Sequence, residues 1–143
     1  MEKQKKELTV EATLDNLDQV MGFVEDTLSM TSCPMKVCMQ YVLCVEELFV
    51  NVASYAYEGK KGNCTVSLET QHTDTDGTAV FTIVDSGKPF NPLEKEDPDI
   101  TLSADERQIG GLGIYMVKKS MDAVSYSYED KKNMLRLEKS WRV

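Results

Sequence analysis

Apolar and polar positions follow periods along this chain that assign most of its elements. Over 6–12, Leu8, Val10 and Ala12 fall on one side and Glu7, Thr9 and Glu11 on the other, the period of two of a half-buried strand. From residue 14 the period becomes helical. Leu14, Leu17, Val20, Met21, Val24 and Leu28, with Thr13 or Asp15 placed to cap them, predict a first helix to about residue 30. Thr31, Ser32 and Pro34 give a second start signal, because a proline in the first turn lacks an N–H that would be unpaired anyway. A long helix is then predicted over about 34–57, with Gly59 as its stop. It is apolar nearly all round, which implies burial along most of its length.

Beyond that helix the period of two returns. Residues 64–70 alternate through Val66 and Leu68, Asp76-Gly77 gives the hairpin signal, and 78–85 is a β-branched strand ending on the carboxylate of Asp85. The stretch 86–110 has no sustained period. It holds Pro89, Pro92 and Pro98 and the acidic residues Glu94, Glu96, Asp97 and Asp99, so a long loop of the kind that serves as a lid is expected there. Gly110, Gly111 and Gly113 close it, a third helix follows over 114–121, and 123–128 with 134–139 form a hairpin about 130–133. The order β, α, α, β, β, lid, α, β, β predicts an α/β sandwich. Its sheet is expected to be mostly antiparallel and mixed, of four to five strands, with three helices on one face, in a single domain over 1–143.

The formal net charge of -8 removes general nucleic-acid binding and anionic-membrane binding from the picture, since both need a basic footprint. Residues 1–8 have no apolar core and no run is read as approaching the ~20 apolar residues of a membrane span, so a cytoplasmic location is expected. Cys33, Cys38, Cys44 and Cys64 form no Cys-x-x-Cys pair and read as reduced, buried thiols. His72 is the only histidine, which leaves no material for a His-based triad or a zinc cluster.

Three separated pieces carry candidate chemistry. In 43–57, Glu47 and Asn51 are four apart, which puts a carboxylate and a carboxamide one turn apart on one helix face. Such a pair could hold a metal ion beside a reacting hydroxyl, although taken alone this spacing is more often a solvated stripe. Val84-Asp85-Ser86-Gly87 ends a strand on a carboxylate. Such a residue forms turns, but a buried, ionised one accepts hydrogen bonds only and suits the exocyclic amine of adenine, with Gly87 letting the backbone approach the ring. Gly110-Gly111-Leu112-Gly113 opens a helix, which makes either a loop-to-helix turn or a phosphate cradle of free N–H groups. No Gly-Lys-Ser/Thr follows, so it is not a Walker A loop.

In order and spacing these pieces resemble the N, G1 and G2 boxes of the GHKL ATPase superfamily, and the chain looks like the RsbW-type anti-sigma factor serine kinases within it. The run Glu106-Arg107-Gln108-Ile109-Gly110-Gly111-Leu112-Gly113 favours that branch. The resemblance implies a histidine-kinase-like ATPase fold, ATP and Mg²⁺ as cofactors, and phosphorylation of a serine on a small anti-sigma factor antagonist. Glu47 would be the general base, and Asn51 would bind Mg²⁺. Asp85 would receive the adenine amine, Gly87 would line the purine, and Gly110, Gly111 and Gly113 would hold phosphates, with Arg107 contacting phosphate or partner. It further implies a sigma factor as second partner, transcription regulation, and a homodimer. The alternative is a nucleotide-binding regulator without kinase activity. Three departures stand out: Lys88-Pro89 replaces the second glycine of the G1 box, Ile109 stands where the G2 box often begins with glycine, and Lys132-Asn133-Met134-Leu135 lacks the threonine by which a penultimate or last strand commonly supports the adenine pocket.

Overall fold

The computed structural model describes residues 1–94 and 111–143. Five strands, β1 (Glu2–Glu11), β2 (Asn63–His72), β3 (Asp76–Asp85), β4 (Ala123–Glu129) and β5 (Lys132–Arg142), form one sheet in the order β1-β2-β3-β5-β4. Every neighbouring pair is antiparallel, so the expected mostly antiparallel sheet has no parallel pair among the described residues. The helices are α1 (Leu17–Ser29), α2 (Met35–Asn51) and α3 (Gly111–Ser120). Inward side chains alternate along each strand: Val66 and Leu68 on β2, Ala79, Phe81 and Ile83 on β3, Leu135 and Leu137 on β5. They meet Val20, Val24 and Leu28 of α1, Tyr41, Val45, Leu48 and Phe49 of α2, and Ile114 and Val117 of α3. Each fully buried side chain of this size contributes about 1.5–3 kcal/mol, so this one-sided core holds the helices to the sheet. The other face carries cross-strand hydroxyl pairs, Thr9 with Thr65 at 2.8 Å, Thr78 with Ser140 at 2.9 Å, and Ser67 with Thr82.

Four details differ from the sequence reading. Asp76 and Gly77 belong to β3, paired with Arg142 and Trp141, and the turn lies at 73–75, where Thr73 N–H donates to Asp76 O at 2.8 Å. Gly77 is required because the Trp141 ring fills the space a Cβ there would need. Neither Thr13 nor Asp15 caps α1; a 3₁₀ turn (Leu14–Asn16) leads into it. The α-helical bonding of α2 ends at Asn51 and widens into a π turn over Val52–Ala56, before Glu58 and Gly59 take left-handed φ values of 51° and 83°. Finally, Met35–Ala56 is 22 residues long and apolar enough to cross a membrane by length and composition, contrary to the reading from sequence. Part of that apolar surface goes to the core, where Tyr41, Val45, Leu48 and Phe49 are buried, but Met35, Met39 and Leu43 are exposed, so burial does not run along most of the helix as the sequence suggested. Of the expected lid at about 86–110, one 3₁₀ turn (Pro92–Glu94) falls in the described part, and 95–110 lies outside the described residues.

Against this apolar core only Thr27, Thr70, Asp85 and Asn133 are buried polar residues among those described. Burying a carboxylate is costly unless it is hydrogen-bonded. Asp85 and Asn133 answer that cost together, because the β3–β5 register sets them directly opposite each other.

Candidate functional site

The helical spacing of Glu47 and Asn51 puts both on one half-buried face of α2, where Asn51 Nδ2 donates to Glu47 Oε1 at 3.4 Å. That orientation leaves the Asn51 carbonyl oxygen free of Glu47. The Glu47 carboxylate lies where a Cβ on residue 113 would sit, so α2 and the start of α3 approach this closely only because residue 113 is glycine. A carboxylate thus rests at a helix N-terminus, where unpaired N–H groups and the helix dipole favour negative charge.

The end of β3 is tied down from three sides. Gly87 N–H turns back onto Asp85 Oδ1 at 2.9 Å, the pattern of an Asx turn. Lys88 N–H donates to Ala56 O at 2.9 Å, and a Cβ on residue 87 would strike that same carbonyl. The Tyr57 hydroxyl accepts from Ser86 N–H at 2.9 Å and donates to Asn63 O at 2.5 Å. From β5, Asn133 Nδ2 donates to Asp85 Oδ1 at 3.0 Å and to Lys88 O at 2.8 Å. Asp85 Oδ2 has no partner among the described residues.

A cleft runs between these groups, with about 410 Å³ of empty space including its open mouth. Leu48, Val52, Ile83 and Leu135 make its walls, and Asn51, Asp85 and Asn133 supply its polar lining. Phe90 lines the mouth and meets the exposed Tyr55 with ring centroids 5.9 Å apart. Lys88 also lines the cleft and pairs with Glu58 at 2.9 Å, a bond and charge that hold the Glu58 carboxyl below its usual range. Beside Asp85, burial first and the carboxylate second push the Cys64 thiol up to about 12.

The structure therefore brings Glu47, Asn51 and Gly113 together and sets Asp85 at the cleft that Asn51 also lines, whereas Gly87 is not part of the cleft lining and its missing side chain makes room for Ala56. Gly111 begins α3; Arg107 and Gly110 lie outside the described residues. No group of three His, Cys, Asp or Glu side chains among the described residues is arranged to hold a metal. The donors present do suit Mg²⁺, which takes one or two protein oxygens and fills its shell with phosphate and water. Sequence reasoning missed Asn133, whose signal was its inward place in the alternation Asn133, Leu135, Leu137 of β5.

An antiparallel sheet covered by helices, with a Glu/Asn pair facing a glycine-opened helix beside a cleft floored by Asp, is the layout of an ATP-binding sandwich. Residues 10–139 match the histidine kinase-like ATPase domain family, and the chain belongs to it. It is 28% identical over 96 residues to the serine/threonine-protein kinase BtrW of Bordetella bronchiseptica, a match spanning 66% of this chain and 65% of that protein. The crystal structure of the RsbU and RsbW domains of Rv1364c from Mycobacterium tuberculosis is similar with a TM-score of 0.65, over 98% of this chain and 34% of that one. At 14% identity this last likeness is one of fold. The family match agrees with the GHKL-type boxes that the motifs resemble.

Proposed function

We propose that this chain is an ATP-dependent serine protein kinase acting as an anti-sigma factor, which phosphorylates a serine on a small antagonist protein and exchanges that partner for a sigma factor. The observation that carries the reading is the Glu47 carboxylate, held on α2 beside Asn51 and against the glycine start of α3. Phosphoryl transfer asks a protein for position, charge stabilisation and a base within reach of the hydroxyl. Asp85 Oδ2 accepts the adenine amine, while Gly87 keeps the neighbouring backbone low. The first N–H groups of α3, from Gly111 and Gly113, face the phosphates, with Gly110 and Arg107 assigned there by resemblance. Asn51 Oδ1 is the protein ligand for Mg²⁺, which when bound neutralises phosphate charge. Glu47 takes the proton of the seryl hydroxyl as its oxygen attacks the γ-phosphorus and the bond to ADP breaks. A cytoplasmic homodimer, working through protein contacts rather than nucleic acid, completes this reading.

One observation favours a second reading, a nucleotide-dependent binding module without transfer: the Glu47 carboxylate rests against Gly113 instead of standing free. Incubation with labelled ATP, Mg²⁺ and a cognate antagonist separates the two. Transfer to an antagonist serine is expected. Glu47→Gln should lower it at least about 100-fold, the usual scale for losing a general base, with ATP affinity changed less than about threefold. Asp85→Asn should instead weaken ATP binding by roughly 10- to 100-fold, the loss of one charge-assisted bond. Tight ATP binding with no transfer by the wild type would leave the binding module.

A further inference from the structure

Asn133 is buried at 6% exposure, yet all its polar capacity is spent within the protein. Its two amide hydrogens go to Asp85 Oδ1 at 3.0 Å and Lys88 O at 2.8 Å, with Gly87 O more distant at 3.5 Å. Its carbonyl oxygen accepts Phe90 N–H at 3.1 Å and the Tyr126 hydroxyl. A carboxamide offers two donors and two acceptor sites, so none is left for a ligand. Asp85 Oδ1 is likewise engaged, by Gly87 N–H and Asn133 Nδ2. Among the described residues its other oxygen, Oδ2, has no partner.

We propose that Asn133 is a positioning residue for base selection: by holding Asp85 Oδ1 and the 87–90 backbone, it commits Asp85 Oδ2 to a ligand amino group. The carboxylate cannot exchange its two oxygens without breaking both bonds at Oδ1. An ionised oxygen fixed in this way accepts from an exocyclic amine and opposes the oxo group that a 6-oxopurine presents at the same place. Discrimination between a 6-amino and a 6-oxo purine is therefore set by Asn133, although Asn133 touches neither. This rests on the reading of Asp85 as the adenine acceptor, and the test keeps the two claims apart.

Equilibrium binding of ATP and of inosine triphosphate, which differs by amine against oxo at position 6, is measured on the full chain. Wild type should favour ATP by at least about 30-fold, because a site built to bond a donor rejects an analogue lacking it. In Asn133→Ala, ATP affinity should fall at least about tenfold while inosine triphosphate changes less than about threefold, so the ratio collapses. A merely structural staple would weaken both nucleotides equally, and that result overturns the proposal. Absence of discrimination in the wild type would instead overturn the Asp85 reading and the inference with it.

If Asn133→Ala loses the fold, Tyr126→Phe deletes only the O–H donor to Asn133 and should still reduce the ratio about threefold; an unchanged ratio there overturns the proposal.

Discussion

Gly113 has no side chain, and the Glu47 carboxylate occupies the space one would take. In Gly113→Ala the methyl group would meet that carboxylate, and the half-buried Glu47 side chain would be pushed away from the start of α3. Misplacing a reacting group by about 1 Å can cost about 100-fold in rate. A single-turnover transfer assay on this variant should show a loss of that order, with the far-UV circular dichroism spectrum unchanged. Glu47, Asn51 and Asp85 were legible in the sequence because each is a polar residue inside an apolar run. Asn133 was not: at the start of a strand, beside Lys131 and Lys132, it reads as a turn residue. Only its place opposite Asp85 reveals what it holds.

Among the elements, the end of α2 does most to locate the site. Its π turn over Val52–Ala56 delivers the Ala56 carbonyl to Lys88 N–H, and the next residue, Tyr57, links β2 to the chain leaving β3. π turns occur often at functional positions. Tyr57→Phe keeps the ring and removes both hydroxyl bonds, leaving Ser86 N–H without its partner. The expected result is a loss of about 1–3 kcal/mol in urea denaturation, together with weaker ATP binding, because Asp85 directly precedes Ser86. Periodicity made α2, β2 and β3 legible, but no breaker announces the π turn. Gly77 misled for a physical reason: glycine before a strand signals a turn, whereas here it clears room for Trp141, a contact formed across the sheet with the far end of the chain.

Taken whole, the molecule buries Cys44 and Cys64 and only half-buries Cys33 and Cys38, which the sequence alone places inside as well. Burial pushes Cys33 and Cys64 up to about 12 and Cys44 up to about 11, from an ordinary value of 9.0. These folded values lie above the unfolded one, so the contribution is intact below pH 9 and is lost as pH rises from about 9 toward 11 or 12. Stability should decline over that window, by at most about 1.4 kcal/mol per pH unit for each thiol, as urea midpoints at successive pH values would record. A midpoint constant from pH 8 to pH 10.5 would contradict this. The same burial predicts that Cys44 and Cys64 resist alkylation at pH 8 until the chain is unfolded. The one-sided core and the strand order need no knowledge of the ligand. Composition and period therefore predicted the sandwich, while the cleft depends on register.

β5 lies between β3 and β4, so the facing pair Asp85 and Asn133 exists only once the last strand is in place. A bound nucleotide consequently distinguishes among partial openings of the native state. Excursions that release β5 dissolve the cleft, whereas fraying of β1 at the opposite edge leaves it whole. At a hundredfold excess over its Kd the ligand raises the free energy of the first kind by about 2.7 kcal/mol and leaves the second unaffected. Amide protons along β3 and β5 would then exchange more slowly with nucleotide present, and those of β1 would keep their own pace.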